Sequence, residues 1–274
     1  TLAEFGLGSL LKDLLPASQF IENVFTLEPW NSVSKECTSI LIYPKTQESY
    51  PFEIWIIFSN ASLMSFKNFP LRDSILEYGN LISDKSSSSF KINIFSYERL
   101  KGFLQNSNSA SMELNWSIRN SISLIDNHNR HFELVEESKR INLKNHENLI
   151  RNYFLSVNSI VYSINNNNKC NDLMYNELIL IFMRIGNLLE KDCFPPVAVL
   201  ENEFRSLEIG KKYLANLNYI KDKVYSGQEL TPDSKDIINR FMSDISKLVI
   251  AKFGNTKKWM NDPNSLNYIL PNFK

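Results

Sequence analysis

Metal chemistry in this sequence would have to turn on Glu53. It lies in the run from Ile40 to Phe58, ILIYPKTQESYPFEIWIIF, where two apolar stretches flank a polar loop that carries Lys45 and Glu48. A carboxylate on a strand, a second acid in the adjoining loop and a lysine ahead of both are the residue types that hold a divalent cation and meet a phosphate. Asn93, in the alternating run FKINIF at 90–95, offers an amide oxygen to the same kind of centre. A second arrangement is Arg140-INLKN-His146, a cation and a proton carrier that could converge on a scissile phosphate. The remaining histidines, His128 and His131, fall in His-Asn-Arg-His with no third cysteine or acid at zinc spacing, so they are expected at the surface.

These residues need elements to position them. Ser39–Tyr43 and Phe52–Phe58 are short runs rich in Ile, Phe and Trp and bounded by Pro, Ser and Asn, which predicts buried strands. In 90–95 the residues Phe90, Ile92 and Ile94 alternate with Lys91 and Asn93, a strand with one buried face. Helices are predicted over 3–15, ended by Pro16, over 17–25 and over 71–82, with a Ser-rich turn at 84–89. Ser96 caps a helix over 96–106 that carries Leu100, Phe103 and Leu104 inward. A further helix and a short apolar segment ending in Asp126 fill 111–126.

From about His131 the texture is helical throughout, with periodic stretches over 131–164, 171–191, 197–224 and 233–253. The breaks are the asparagine run at 165–168, Phe194-Pro195-Pro196 and the segment 226–232. The expectation is an α+β chain: a small mixed-sheet domain with a leading helix over 1–128, a helical bundle over 129–256, and an extended tail over 257–274. No internal repeat is present.

The order of the first half resembles the DNA polymerase beta superfamily of nucleotidyltransferases across residues 20–126. In that family a strand leads into a Gly-Ser turn, a second strand carries Asp-x-Asp, and a later strand carries a third acid. SILIY at 39–43 resembles the first strand, and Pro44-Lys45 occupy the place of Gly-Ser. PFEIWIIF at 51–58 resembles the Asp-x-Asp strand, with Pro51 at the first acid and Glu53 at the second. SFKINIFSYERL resembles the third-acid strand, with Asn93 at the last carboxylate. WSIRNSISLID at 116–126 is similar to the segment that closes the small domain in minimal members, and the helical second half to the bundle that accompanies them in the nucleotidyltransferase-like proteins of bacilli.

What the resemblance implies is a nucleotide-handling fold with a degenerate centre. Two-metal nucleotidyl transfer takes about three carboxylates, and here one remains, Glu53. Asn93 is a weaker ligand than a carboxylate, its neighbour on the same face is Lys91, and Pro44 lacks the N–H that a phosphate cradle uses. The leading expectation is therefore a protein that binds a nucleotide, an RNA or a protein partner without catalysis. The alternative is an active, divergent transferase in which Mg²⁺ sits on Glu53 with Glu48 or another acid recruited from the bundle, Lys45 contacting phosphate. The plain readings stand beside these: Glu53 as a paired strand acid, Lys45 as a loop lysine, Trp55 and Trp116 as core.

The Arg140–His146 spacing is that of the catalytic pair of HEPN-type ribonucleases, helical proteins that accompany minimal nucleotidyltransferases. A solvated helix face explains it more simply. Lys211, Lys212, Lys221 and Lys223 interleave with Tyr213, Tyr219 and Tyr225 in the manner of an RNA-gripping surface, and Lys257-Lys258-Trp259 repeats the pattern in the tail. Acids alternate through the same stretch. The bundle could also mediate a homodimer.

Composition bounds all of this. In 274 residues, 30 Lys and Arg balance 30 Asp and Glu, so no general attraction to polyanions operates. No apolar run reaches the roughly 20 residues that span a bilayer, and the start lacks the basic flank and apolar core of a signal peptide, so membrane insertion and secretion are not expected. Cys37, Cys170 and Cys193 are scattered and odd in number, which predicts free thiols and a cytoplasmic, intracellular setting. Thr1 in place of Met points to numbering that begins inside a longer chain or after a processed tag.

Overall fold

The structure is a computed structural model that describes residues 35–43, 52–66, 90–140, 142–167 and 171–254. The helices expected over 3–15, 17–25 and 71–82, the turn at 84–89 and the tail at 257–274 lie outside these residues, as do Pro44, Lys45, Glu48, Pro51 and Cys170.

The three strands predicted from composition and alternation form β1 (Ser39–Tyr43), β2 (Phe52–Phe58) and β3 (Phe90–Ser96), and the segment ending in Asp126 forms β4 (Ile122–Asp126). The sheet order is β3-β2-β1-β4. β2 runs antiparallel to β1 and parallel to β3, and β4 runs antiparallel to β1 with a register shift between Ile40 and Leu41. The two central strands are apolar on both faces: Ile40, Leu41 and Ile42 of β1 and Ile54, Ile56, Ile57 and Phe58 of β2 are all buried. Three short helices follow, α1 (Asn60–Phe66), α2 (Tyr97–Leu104) and α3 (Ser109–Asn120).

Ser96 caps α2 as its sequence predicts, its hydroxyl accepting from the Arg99 amide at 3.2 Å. Leu100 and Leu104 point inward, but Phe103 is 50% exposed. On an eight-residue helix the buried stripe through Tyr97, Leu100 and Leu104 is narrow, and position 103 falls at its flank.

A tight turn at Asn127–Asn129 joins β4 to α4 (Arg130–Lys139), with His128 and Asn129 in the left-handed region at φ 64° and 58°. Both are residue types that tolerate it. Asp126 makes the turn work: its Oδ1 accepts from the His131 amide at 2.9 Å and from Ser39 Oγ at 3.2 Å, holding the start of α4 to the start of β1.

By its contacts the chain divides into one unit of residues 1–105 and 114–140 and a second of 106–113 and 141–274. Residues 129–140, which the periodicity alone groups with the helical half, therefore belong with the sheet. The cause is local: Glu133 accepts from the Tyr97 hydroxyl, Glu137 accepts from Gln105 Nε2 at 2.7 Å, and Arg119 holds the Ser138 carbonyl.

The continuous helix expected over 131–164 is two. Arg140 is extended, with its amide bonded to the Glu137 carbonyl, and a new helix, α5 (Leu143–Asn167), starts at Asn142, whose side chain accepts from the Asn145 amide at 3.2 Å. An asparagine that caps is a start signal inside an otherwise helical pattern. The second unit continues with α6 (Asp172–Lys191), α7 (Val197–Ser206), α8 (Glu208–Tyr225) and α9 (Pro232–Phe253). Asn171 caps α6 and Thr231 caps α9, where Pro232 takes the first turn.

The expected stretch 197–224 is likewise broken, at Leu207, whose ψ is 154°. Two glycines explain the corner. A Cβ on Gly210 would lie 1.7 Å from the Phe204 carbonyl oxygen, and one on Gly186 would lie 2.8 Å from the Phe204 ring. The corner lets Phe204 enter the core beside Phe241, which packs on Phe182 at 4.0 Å and on Tyr213 at 4.8 Å between ring centroids. Each such ring fully withdrawn from water contributes about 1.5–3 kcal/mol.

Candidate functional site

The sheet brings two of the residues singled out by sequence into contact. In the β2–β3 register Trp55 stands opposite Asn93 and Glu53 opposite Lys91. Residues two apart on a strand share a face, so Glu53, Trp55 and Asn93 meet on the same side of the sheet. Glu53 Oε1 accepts from Trp55 Nε1 at 2.8 Å and, in a closer contact, from Asn93 Nδ2. The direction is fixed by chemistry, because an indole nitrogen only donates and an ionised carboxylate only accepts, so Asn93 must turn its NH₂ to Glu53.

Around this trio the face is aromatic. Trp55 stacks on Tyr43 with centroids 5.4 Å apart and planes at 15°, tilts against Phe95 at 4.8 Å, and Tyr43 meets Trp116 edge-on at 6.1 Å. Both tryptophans are 6% exposed, so their rings are packing surfaces and present no platform to a base. Tyr43 pairs with Glu53 across β1 and β2, so β1 ends directly beside the trio.

Part of the liganding capacity described at this rim is already engaged. The carboxylate oxygen that would face Asn93 already takes two N–H donors, and Asn93 turns toward it the end that cannot ligate. Among the described residues no three of His, Cys, Asp and Glu gather as a metal site requires.

The Arg140–His146 pair does not present itself as a phosphate clamp. The Arg140 guanidinium is 74% exposed and bonded to Glu137 at 3.1 Å. His146 is completely buried within its own unit, with Nε2 3.2 Å from the Leu188 carbonyl and 3.8 Å from Asp192 Oδ1. Lys252 Nζ donates to the Leu188 and Leu189 carbonyls, each at 2.9 Å, and to Asp192. His146 and Lys252 thus serve the carbonyls that end α6, where positive charge and N–H donors are favoured. A histidine without surface cannot touch an RNA phosphate in this arrangement.

Of the other histidines, His128 is exposed as expected, while His131 is not a plain surface residue. Its Nε2 lies 2.9 Å from Ser121 Oγ. Burial pushes its pKa down, against the opposing pull of Asp126. The signal available in sequence was its place one turn into a helix after Asp126, which says cap rather than ligand.

The lysine–tyrosine stretch of α8 resolves into separate roles. Tyr213 is buried, with its hydroxyl donating to Asp244 Oδ2 at 2.7 Å. Lys212 reaches the same oxygen at 2.5 Å and Lys247 reaches Oδ1 at 2.9 Å, and these bonds hold the Asp244 carboxyl well below the usual carboxylate range. Lys223 lies over the Tyr219 ring at 4.6 Å and Lys221 over Tyr225 at 5.6 Å. Six residues at about 100° each separate Tyr219 from Tyr225, so the two pairs flank opposite sides of the helix instead of forming one strip. Beside Asp244 lies a groove of about 600 Å³ above Ile209 and Leu248. Its upper wall is Glu190, whose carboxylate accepts from the Glu208 and Ile209 amides at 3.1 and 3.2 Å and so caps α8. Asp244 with Lys247 was legible as a helical i,i+3 pair, whereas the approach of Lys212 from another helix was not.

No helix among the described residues is long and apolar enough to cross a membrane. No family model matches this sequence. No curated protein matches it either. Among solved structures the chain is similar to a nucleotidyltransferase-like protein from Exiguobacterium sibiricum 255-15, at 10% identity and a TM-score of 0.39, over 89% of this chain and 78% of that one. At that identity and score the likeness assigns no role to any residue here.

Proposed function

We propose that the first unit is a nucleotidyltransferase-type domain that has lost metal-dependent transfer, and that the protein acts by binding, with a nucleotide or RNA at the sheet rim or a protein partner on the helical unit as occupant. One observation carries the reading: Glu53, the single acid left on the three strands in question, spends its carboxylate on Trp55 and Asn93. The strand order supports it, since the end of β1, the start of β2 and Asn93 on β3 lie side by side. An intracellular setting agrees with Cys37 and Cys193, both buried free thiols.

Incubation of the protein with labelled nucleoside triphosphates and Mg²⁺ or Mn²⁺ tests the loss of transfer. No incorporation into protein, RNA or small acceptors is expected, and incorporation abolished by Glu53→Gln would overturn the reading. Thermal-shift measurement with the same nucleotides tests binding. A rise in melting temperature that persists in EDTA supports the nucleotide as occupant, because a ligand of the native state stabilises it. A flat response with every nucleotide and with RNA oligomers transfers the role to a protein partner.

A further inference from the structure

We infer that the groove beside Asp244 on the helical unit is a binding site for a small organic anion, a carboxylate, sulfonate or phosphate ester with an apolar body, whose charged head meets Lys212 and Lys247. The site involves the second unit alone and is independent of the reading of the sheet rim.

The distribution of charge around the groove decides the sign of the ligand. Its lining carries three lysines and three acids, so the formal charges cancel over the whole and only their arrangement matters. Glu208 is taken by Lys211 at 2.5 Å, and Glu190 by the amides that start α8. Asp244 is shared by two ammonium groups, Lys212 at 2.5 Å on Oδ2 and Lys247 at 2.9 Å on Oδ1. Two cations on one carboxylate leave an unmatched positive charge at that wall, and the depressed pKa of Asp244 reflects the same excess.

Exposure and shape agree with charge. One carboxylate holds both ammonium groups, so they stand side by side, and each has N–H donors beyond the one given to Asp244. The two lysine side chains are 62% and 73% exposed and Asp244 only 21%, which puts the donors outermost and the acid behind them. Ile209 and Leu248 form an apolar floor in a groove of about 600 Å³, the size of a small-molecule site. A bare inorganic ion would leave that floor wet, whereas an anion with an apolar body covers it.

The probe is 8-anilinonaphthalene-1-sulfonate, an anion with an aromatic body, titrated into the whole protein at low ionic strength and followed by fluorescence and calorimetry. One saturable site is expected, weakened about tenfold or more in Lys212→Gln/Lys247→Gln and kept in Lys212→Arg/Lys247→Arg, which retains both positive charges. Inorganic sulfate, a head without a body, is expected to bind at least about tenfold more weakly in competition. Circular dichroism of both variants checks that these exposed substitutions leave the fold intact. The inference is overturned by the absence of a saturable site, by equal affinity in the unaltered protein and the glutamine variant, by equal weakening in the glutamine and arginine variants, or by sulfate that competes on equal terms.

Discussion

Two carboxylates in this protein solve the same problem in opposite ways. Glu53, at the sheet rim, accepts from an indole and an amide, both neutral. Asp244, on the last described helix, accepts from two lysines and a phenol. The donors at the rim are costly to strand because one of them belongs to a buried tryptophan. An ionic cluster on lysines that are 62% and 73% exposed gains charge attraction that solvent screens. The rim is therefore expected to be the stiffer and more specific of the two, and the α8–α9 face the more adjustable.

The largest effect lies in what supports each region. Gly210 brings the first turn of α8, and with it Lys212, against the Phe204 carbonyl, and a Cβ there meets backbone at 1.7 Å. Gly210→Ala is expected to cost more than about 3 kcal/mol or to prevent folding of the helical unit. Gly102 in α2 of the sheet unit has nothing within 4 Å of an added Cβ, and Gly102→Ala is expected to stabilise by about 0.5–1 kcal/mol. Chemical denaturation of the two variants measures both, and a tolerated Gly210→Ala would break the account of the corner.

Next in size is Glu53→Ala. It leaves the Trp55 indole N–H and the Asn93 amide without their acceptor and is expected to cost about 1–3 kcal/mol. Asp244→Asn is expected to cost about 1 kcal/mol at low salt and less as ionic strength rises. The comparison would be broken if Asp244→Asn cost more than Glu53→Ala at every ionic strength.

Acid sharpens it further. Burial lowers the pKa of His131 from the ordinary value near 6.5, so the folded state favours the neutral ring. The resulting stability is complete above about pH 6.5 and falls as pH drops below it. Asp244 is lowered from a carboxylate value near 4, so its contribution is complete above about pH 4 and is lost only as pH falls further. Denaturation midpoints followed from pH 8 to pH 3 are expected to decline in two stages, with His131→Gln removing the upper stage and Asp244→Asn the lower. The smallest effect is chemical: burial pushes the Cys37 thiol up to about 11, so a thiol reagent at pH 8 is expected to label it only on unfolding.

Much of the fold was legible from residues alone. Short apolar runs bounded by Pro, Ser and Asn gave the ends of β1 and β2 to the residue, and the cap at Ser96 followed from a side-chain type with one job there. Illegible was the break at Leu207, because helical periodicity continues across a corner when both helices face one core, and the decisive feature is a carbonyl 1.7 Å from a missing Cβ; at Arg140 the one local signal was the capping Asn142. The assignment of 130–139 to the sheet was hidden for the same kind of reason, since Tyr97, Gln105 and Arg119 hold it from far away in sequence. At the candidate site the sequence showed that Glu53 and Asn93 could meet. It did not show that they bond to each other, because the side-chain direction that joins them depends on Trp55 being fixed from both sides.

The most direct measurement is calorimetric titration of MnCl₂ into the unaltered protein and into Glu53→Gln. With Glu53 Oε1 taken by Trp55 and Asn93, the two titrations are expected to be indistinguishable and without a saturable site. A site of unit stoichiometry present in the unaltered protein and lost in Glu53→Gln would mean that the rim still holds a metal, and the account would be wrong.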